Sequence, residues 1–529
     1  MKIIGIFLVF TLLPASLIPP FSDAAAKYDL VITNAKIIDG TANPWFRGSI
    51  AIKDGRIVDV GSIDASKAAK VIDAKGRIAA PGFIDVHTHT ENIYDHPMAE
   101  NFIRMGVTTL VTGNCGTSVT DVGDFLSKIK EKPLAVNIST LVAHGSIRSR
   151  VMGLDDRAPT ADEQKSMNEL VEKAMKEGSL DLSTGLIYVP GTFAKTDEVI
   201  ELARAASKYH GIYASHIRDE GVGVQDAIKE AINIGEQADM PVEISHFKIS
   251  AKSLWGQSPA TLGIVREARQ RGLSVTVDQY AYPASSTSLD VRMPNWAVAG
   301  GREAGKKRLA DAEIRAKIIA EMKEGMAQRG FSDYSYAYVA NYRANPEFNG
   351  KNIAQIAQIV RGKSDLDAQI EQILEMYASG GAQMVYQVMS EDDVRRIMAE
   401  PFTMIASDSG VREFGAGVPH PRGYGNNARV LGHFVRDLNL ITIEDAIRKM
   451  TSLPAQTFGL RDRGQIREGF AADIVIFDEM AVGDKATFDN PHQYATGFAN
   501  VIVNGKLVYD GTTMTGELPG IALKGRGAE

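Results

Sequence analysis

The sequence predicts an α/β fold: a closed (β/α)8 barrel with a small β-sandwich domain attached. Three observations lead there. Eight short apolar strand ends alternate with helical periodicity through the middle of the chain, and strand-and-turn patterns fill both of its ends. The 529 residues, 44% of them hydrophobic, also supply more core than one ordinary domain requires.

Residues 1–26 read as a secretory signal peptide. Met1-Lys2 gives a basic start, Ile3 to Pro20 an apolar middle, and Asp23-Ala24-Ala25-Ala26 a small-residue exit. The apolar stretch is short for a membrane span, so cleavage and export, with the periplasm as destination, is the expectation. No membrane association is expected after cleavage. The chain has one cysteine, Cys115, which excludes an intramolecular disulfide and leaves the thiol to be explained by chemistry.

Residues 27–80 hold strand patterns such as Leu30-Val31-Ile32, Gly48 to Ile52 and Ile57 to Val60, the last two joined by an Asp54-Gly55 turn. The same texture returns in residues 464–529, at Ala472 to Phe477 and Val501 to Gly505. Both ends are expected to build one β domain. Between them, residues 81–463 carry the barrel, with strand ends at Ile84-Asp85-Val86, Thr109-Leu110-Val111, Leu141-Val142-Ala143, Leu182-Ser183-Thr184, Ile212-Tyr213-Ala214, Val242-Glu243-Ile244, Val275-Thr276-Val277 and Thr403-Met404-Ile405. More than a hundred residues separate the last two, and an insertion at about 290–397, with helical patterns of its own, is expected to act as a lid.

A net charge of −7 without any basic run provides no footprint for nucleic acid, which points to a small-molecule partner. The sequence selects no oligomeric state. Chemistry enters after the first barrel strand, in Pro81 to His89. His87 and His89 stand at i and i+2 on extended backbone and project to one side, where both imidazoles can meet a metal. A lone His-x-His is weak, but His216, His246 and Asp408 end three later strands, at the face where barrels place their active sites. Cys115, in Gly113-Asn114-Cys115-Gly116 after the second strand, adds a soft thiolate beside imidazoles, a set that points to zinc. Its competing use as a cysteine-protease nucleophile lacks the surrounding motif.

These residues resemble the amidohydrolase superfamily, and within it the D-aminoacylase branch. The resemblance runs over nearly the whole mature chain, through Asp29 to Ala35, Pro81 to His89, Gly113 to Gly116, Ser183 to Tyr188, Ser215 to Glu220, Ser245 to Lys248, Ser407-Asp408, Pro419 to Arg422 and Gly469 to Asp473. Many superfamily members bridge two metals with a carboxylated lysine near the fourth strand end. Leu182 to Gly185 has no lysine there, and in the branch the cysteine after the second strand takes that place. The resemblance implies that Cys115, His216 and His246 hold a tight Zn2+, with His87, His89 and Asp408 bordering a second position that is weakly occupied or empty. It implies carboxylate-binding roles for Lys248, Tyr280, Ser286 and Arg422, and a substrate-binding place for Tyr188. The branch's Tyr-Pro-Tyr is replaced here by Tyr280-Ala281-Tyr282-Pro283.

The resemblance implies hydrolysis of N-acyl-D-amino acids, with metal-bound water as nucleophile and Asp408 moving its proton, as a ligand, as a base, or as both. Two alternatives stay open: an amidohydrolase for D-residue dipeptides, lactams or other cyclic amides, and a non-catalytic extracytoplasmic binding protein. The complete set of His87, His89, Cys115, His216, His246 and Asp408 speaks against the latter.

Overall fold

A computed structural model describes residues 26–528, so the signal-peptide segment lies, but for its last residue, outside the described residues. Eight parallel strand segments form the barrel: Phe83–Asp85, Val107–Thr112, Asn137–Thr140 continued by Val142–Ala143, Leu182–Gly185, Tyr213–His216, Val242–Ile244, Val275–Gln279 and Thr403–Ile405. Backbone pairing breaks at Leu141, which divides the ladder into runs of three and six strands. The ring closes where Thr88 bridges Ser409, joining the first strand to the eighth. Residues such as Val242 and Val275 are buried on both faces, as parallel strands flanked by helices require.

The helices follow from amphipathic patterns with clear start signals. Ala161–Glu177, for example, begins with a capping box in which Thr160 and Glu163 exchange side-chain and backbone hydrogen bonds, and ends at left-handed Gly178. Inside the barrel, Ile84, Val111, Leu141, Ala214 and Met404 cluster with Phe458 and Leu460, so the floor is packed shut and the site can open only at the opposite end.

Both chain ends share one eight-stranded sheet. Ile474–Phe477 runs antiparallel to Ile78–Pro81, and Tyr28–Ile37 forks, pairing parallel with Ala68–Asp73 over its first half and with Ile78–Pro81 near its end. A separate apolar cluster, from Leu30 and Ile32 to Ile474 and Ile502, fills it.

The segment between the seventh and eighth strands opens with Ser285–Ser288, which pairs with Gln383–Tyr386 and, through it, with Ala337–Asn341 in a three-stranded antiparallel sheet. The insertion therefore begins earlier than residue 290. It also ends sooner than 397: helix Glu391–Ala399 packs on Val275–Gln279 and Thr403–Ile405 as a barrel helix. Among the described residues, no helix is long and apolar enough to cross a membrane.

Candidate metal centre and substrate cleft

His216 is the last residue of its barrel strand, His87, Cys115, His246 and Asp408 lie two or three residues beyond theirs, and three of the five stand on strained backbone. Cys115 (φ +54°), His246 (φ +37°) and Asp408 (φ +50°) occupy the left-handed region that side chains with a Cβ avoid, at a cost of roughly 1–3 kcal/mol each. The bend turns each side chain inward over the barrel mouth. The surrounding fold enforces it: the Asp408 amide donates to His87 O (2.9 Å), and the His246 amide donates to Asp278 Oδ1 (2.9 Å).

Cys115 Sγ lies 3.2 Å from His87 Nε2 and 3.4 Å from His246 Nε2, and His246 Nε2 lies 2.8 Å from His216 Nδ1. Asp408 Oδ1 is 3.3 Å from His89 Nε2 and 3.6 Å from His87 Nε2. Three overlapping groups have their ligand atoms within 4.8 Å of one another: His87, Cys115 and His246; His87, His89 and Asp408; His216, Glu220 and His246. The two expected sets thus form one continuous cluster. His87, expected on the second position alone, is closer to the thiol than His246 is. His89 is the exposed member, with 37% of its side chain accessible.

The electrostatics suit a cation. Burial pushes the Cys115 thiol up, but the imidazoles of His87 and His246 outweigh it and hold it well below the usual thiol range. Burial likewise opposes ionisation of Asp408, and Arg422 overcomes it: Nη1 sits 2.8 Å from Asp408 Oδ2, and the carboxyl is held well below the ordinary range. Among the described residues, the buried Nε2 of His216 has no hydrogen-bond partner. A thiolate, several imidazoles and a carboxylate converging at the base of one cleft form a donor set for a divalent transition metal.

Outer contacts orient the ligands. Asp278 Oδ2 lies 3.0 Å from His87 Nδ1, and Glu220 Oε1 lies 3.0 Å from His246 Nδ1 and also accepts from Lys248. Neither carboxylate was singled out from sequence. Glu220 sits four residues after His216 and Asp278 is the last but one residue of the seventh strand, positions at which a polar residue is unremarkable until the fold brings it against an imidazole.

The cleft over the cluster holds about 590 Å³ and is lined by Tyr188, Lys248, Ser285, Ser286, Thr287, Arg412 and Arg422 in addition to the ligands. The Tyr188 ring stacks edge-on against His216, with centroids 4.8 Å apart, and its hydroxyl shares a 3.0 Å hydrogen bond with Thr287 Oγ1. Ser286 donates to Met384 O. Tyr280 differs from the expected role: it is fully buried, its hydroxyl donates to Met389 Sδ, and its ring lies 4.5 Å from the Arg422 guanidinium. Lying away from the lining, it can support Arg422 without touching a substrate. The Ala281 departure also has a local reason: the Ala281 amide donates to Asn426 Oδ1 (2.8 Å), a bond proline could not make.

A sequence profile of the amidohydrolase family matches residues 70–509. The D-aminoacylase of Alcaligenes xylosoxydans xylosoxydans is 34% identical over 521 residues, spanning 94% of this chain and 97% of its own. The crystal structure of N-acyl-D-glutamate deacylase from Bordetella bronchiseptica, complexed with zinc and a phosphonate mimic of the tetrahedral intermediate, superposes with a TM-score of 0.80 at 32% identity, covering 94% of this chain and all of that one. A D-aminoacylase crystal structure gives the same TM-score at 34% identity and the same coverage. The chain belongs to the amidohydrolase family, in the branch of the D-aminoacylases.

Proposed function

We propose that the chain is a zinc-dependent deacylase that hydrolyses the amide bond of N-acyl-D-amino acids, releasing a carboxylate and the free D-amino acid. The observation that carries this reading is the placing of cationic groups for a carboxylate, Lys248 and Arg422, on the wall of the cleft that holds the Cys115, His216 and His246 donors. Cys115, His216 and His246 would hold the zinc: His246 Nε2 lies 3.4 Å from Cys115 Sγ and 2.8 Å from His216 Nδ1, and a thiolate beside imidazoles is the donor chemistry zinc takes.

When bound, zinc supplies an acidified water and a Lewis acid for the amide carbonyl. Asp408, kept ionised by Arg422, takes the proton from the attacking water and hands it to the leaving nitrogen. Lys248, Ser286 and Arg422 hold the substrate carboxylate, and Tyr188 covers the His216 side of the cleft. The pattern of residues 1–26 supports export, which puts this activity in the periplasm.

Hydrolysis of paired N-acetyl-D- and N-acetyl-L-amino acids by the zinc-loaded mature protein tests the assignment. Amine release from the D-series, reduced about 10²–10⁴-fold in Asp408→Ala, is the expected result. Turnover confined to L-substrates or to cyclic amides would overturn it.

A further inference from the structure

The carboxylates lining the cleft, Glu220 and Asp408, each already face a cation: Glu220 accepts from Lys248, and Asp408 pairs with Arg422. A third cation has no such partner. Arg412 lies in the loop between Gly410 and Arg422 and lines the same cleft; among the described residues it makes no ion pair, and its Nε is buried without a hydrogen-bond partner. A β-carbon built on Gly423 would lie 3.4 Å from that Nε, so the guanidinium is held beside the residue that follows Arg422. Burial, and then the charge of Arg422, lowers the pKa of Arg412, and the opposing pull of Tyr424 and Asp408 does not cancel it.

A guanidinium left unpaired in a partly desolvated wall is costly until an anion reaches it. On the deacylase reading the single α-carboxylate of an N-acyl amino acid goes to Lys248, Ser286 and Arg422, the two cations sharing their charge with Glu220 and Asp408, and Arg412 is left over. Against a neutral side chain, Arg412 would stay uncompensated, and an apolar group laid over it would strip its remaining water. We propose that Arg412 receives a second carboxylate, that of the substrate side chain, and makes the site selective for N-acyl-D-amino acids of the aspartate and glutamate type. The proposal rests on the deacylase reading above.

Steady-state kinetics on N-acetyl-D-glutamate, N-acetyl-D-aspartate, N-acetyl-D-leucine and N-acetyl-D-methionine, for wild type and Arg412→Gln, form the test. Wild type should prefer the dicarboxylates in kcat/KM. Arg412→Gln should raise KM for them by about 10- to 100-fold more than any loss on the neutral pair, with Arg412→Lys recovering part of it. Equal losses on both classes, or none, overturn the proposal. Calorimetric binding of free D-glutamate and D-leucine separates the two readings. If no N-acetyl-D-amino acid is turned over but D-glutamate binds and Arg412→Gln abolishes that binding, the deacylase reading fails and the acidic subsite stands. If D-glutamate binds no better than D-leucine, the subsite fails.

Discussion

The Asp278 carboxylate lies 3.0 Å from His87 Nδ1, and that contact leaves the other ring nitrogen, Nε2, to face the donor cluster. A proton on Nδ1, donated to Asp278, leaves the Nε2 lone pair pointing at Cys115. The other oxygen of Asp278 accepts from the His246 amide, so one side chain sets the tautomer of one ligand and the strained backbone of another. Asp278→Asn should therefore weaken zinc affinity by about 10- to 100-fold while leaving the fold intact. Competition with a chromogenic chelator, read beside circular dichroism, measures it, and unchanged affinity would refute the orienting role.

Cys115 is the soft donor of the cluster, and its neighbours favour the thiolate. Serine at this position offers a hydroxyl that stays protonated at neutral pH. Cys115→Ser should lose more affinity than the outer-shell change at Asp278, and should retain little zinc after dialysis against buffer. Elemental analysis reads the metal directly. A serine variant that keeps one full equivalent of zinc would show the thiol to be dispensable.

Glu220 balances Lys248, which is 2% exposed in its side chain, and its Oε1 also faces His246 Nδ1. Removing one member of a buried pair strands the other, so Glu220→Ala should cost about 3–5 kcal/mol in urea unfolding. Lys248→Met in the same chain should recover much of that loss, because the stranded charge goes with it. Additive losses in the double variant would mean the two groups do not balance each other.

The barrel and the side-chain cluster over its mouth were legible because residue type and position coincide there. Each of His87, His216, His246 and Asp408 closes an apolar strand, and strand ends in barrel order form a pattern that chance rarely supplies. The insertion boundary was not legible, since Ser285–Ser288 reads Ser-Ser-Thr-Ser, with no apolar alternation to mark a strand that is defined by pairing with Gln383–Tyr386. Helix Glu391–Ala399 has an amphipathic pattern that fits a barrel helix and an inserted one equally well, and only its packing against two barrel strands decides. Tyr280 shows a similar limit: sequence puts it beside the site, and the direction of its hydroxyl is a tertiary fact. Arg412 sits in a loop without periodicity, and its lack of an ion-pair partner among the described residues is a tertiary fact that no sequence pattern marks.

Away from the cleft, helix Ile443–Met450 buries Lys449 completely, with its ammonium donating to the carbonyls of Glu400 and Thr403 and 3.7 Å from an Asp445 carboxylate oxygen. Burial outweighs the pull of Asp445 and lowers the pKa from 10.5 to about 8. The unfolded chain keeps this proton to a higher pH than the folded chain does. Between about pH 8 and 10.5 the unfolded state therefore binds more protons, and the contribution of Lys449 to stability rises with pH across that window. Lys449→Met has no such term, so the unfolding free energy of wild type relative to the variant should climb by up to about 3 kcal/mol from the lower to the upper end. Urea unfolding of both proteins at several pH values across the window isolates it, because every other lysine cancels in the difference. A difference that stays flat or falls as pH rises would mean that Lys449 keeps its charge inside the folded protein.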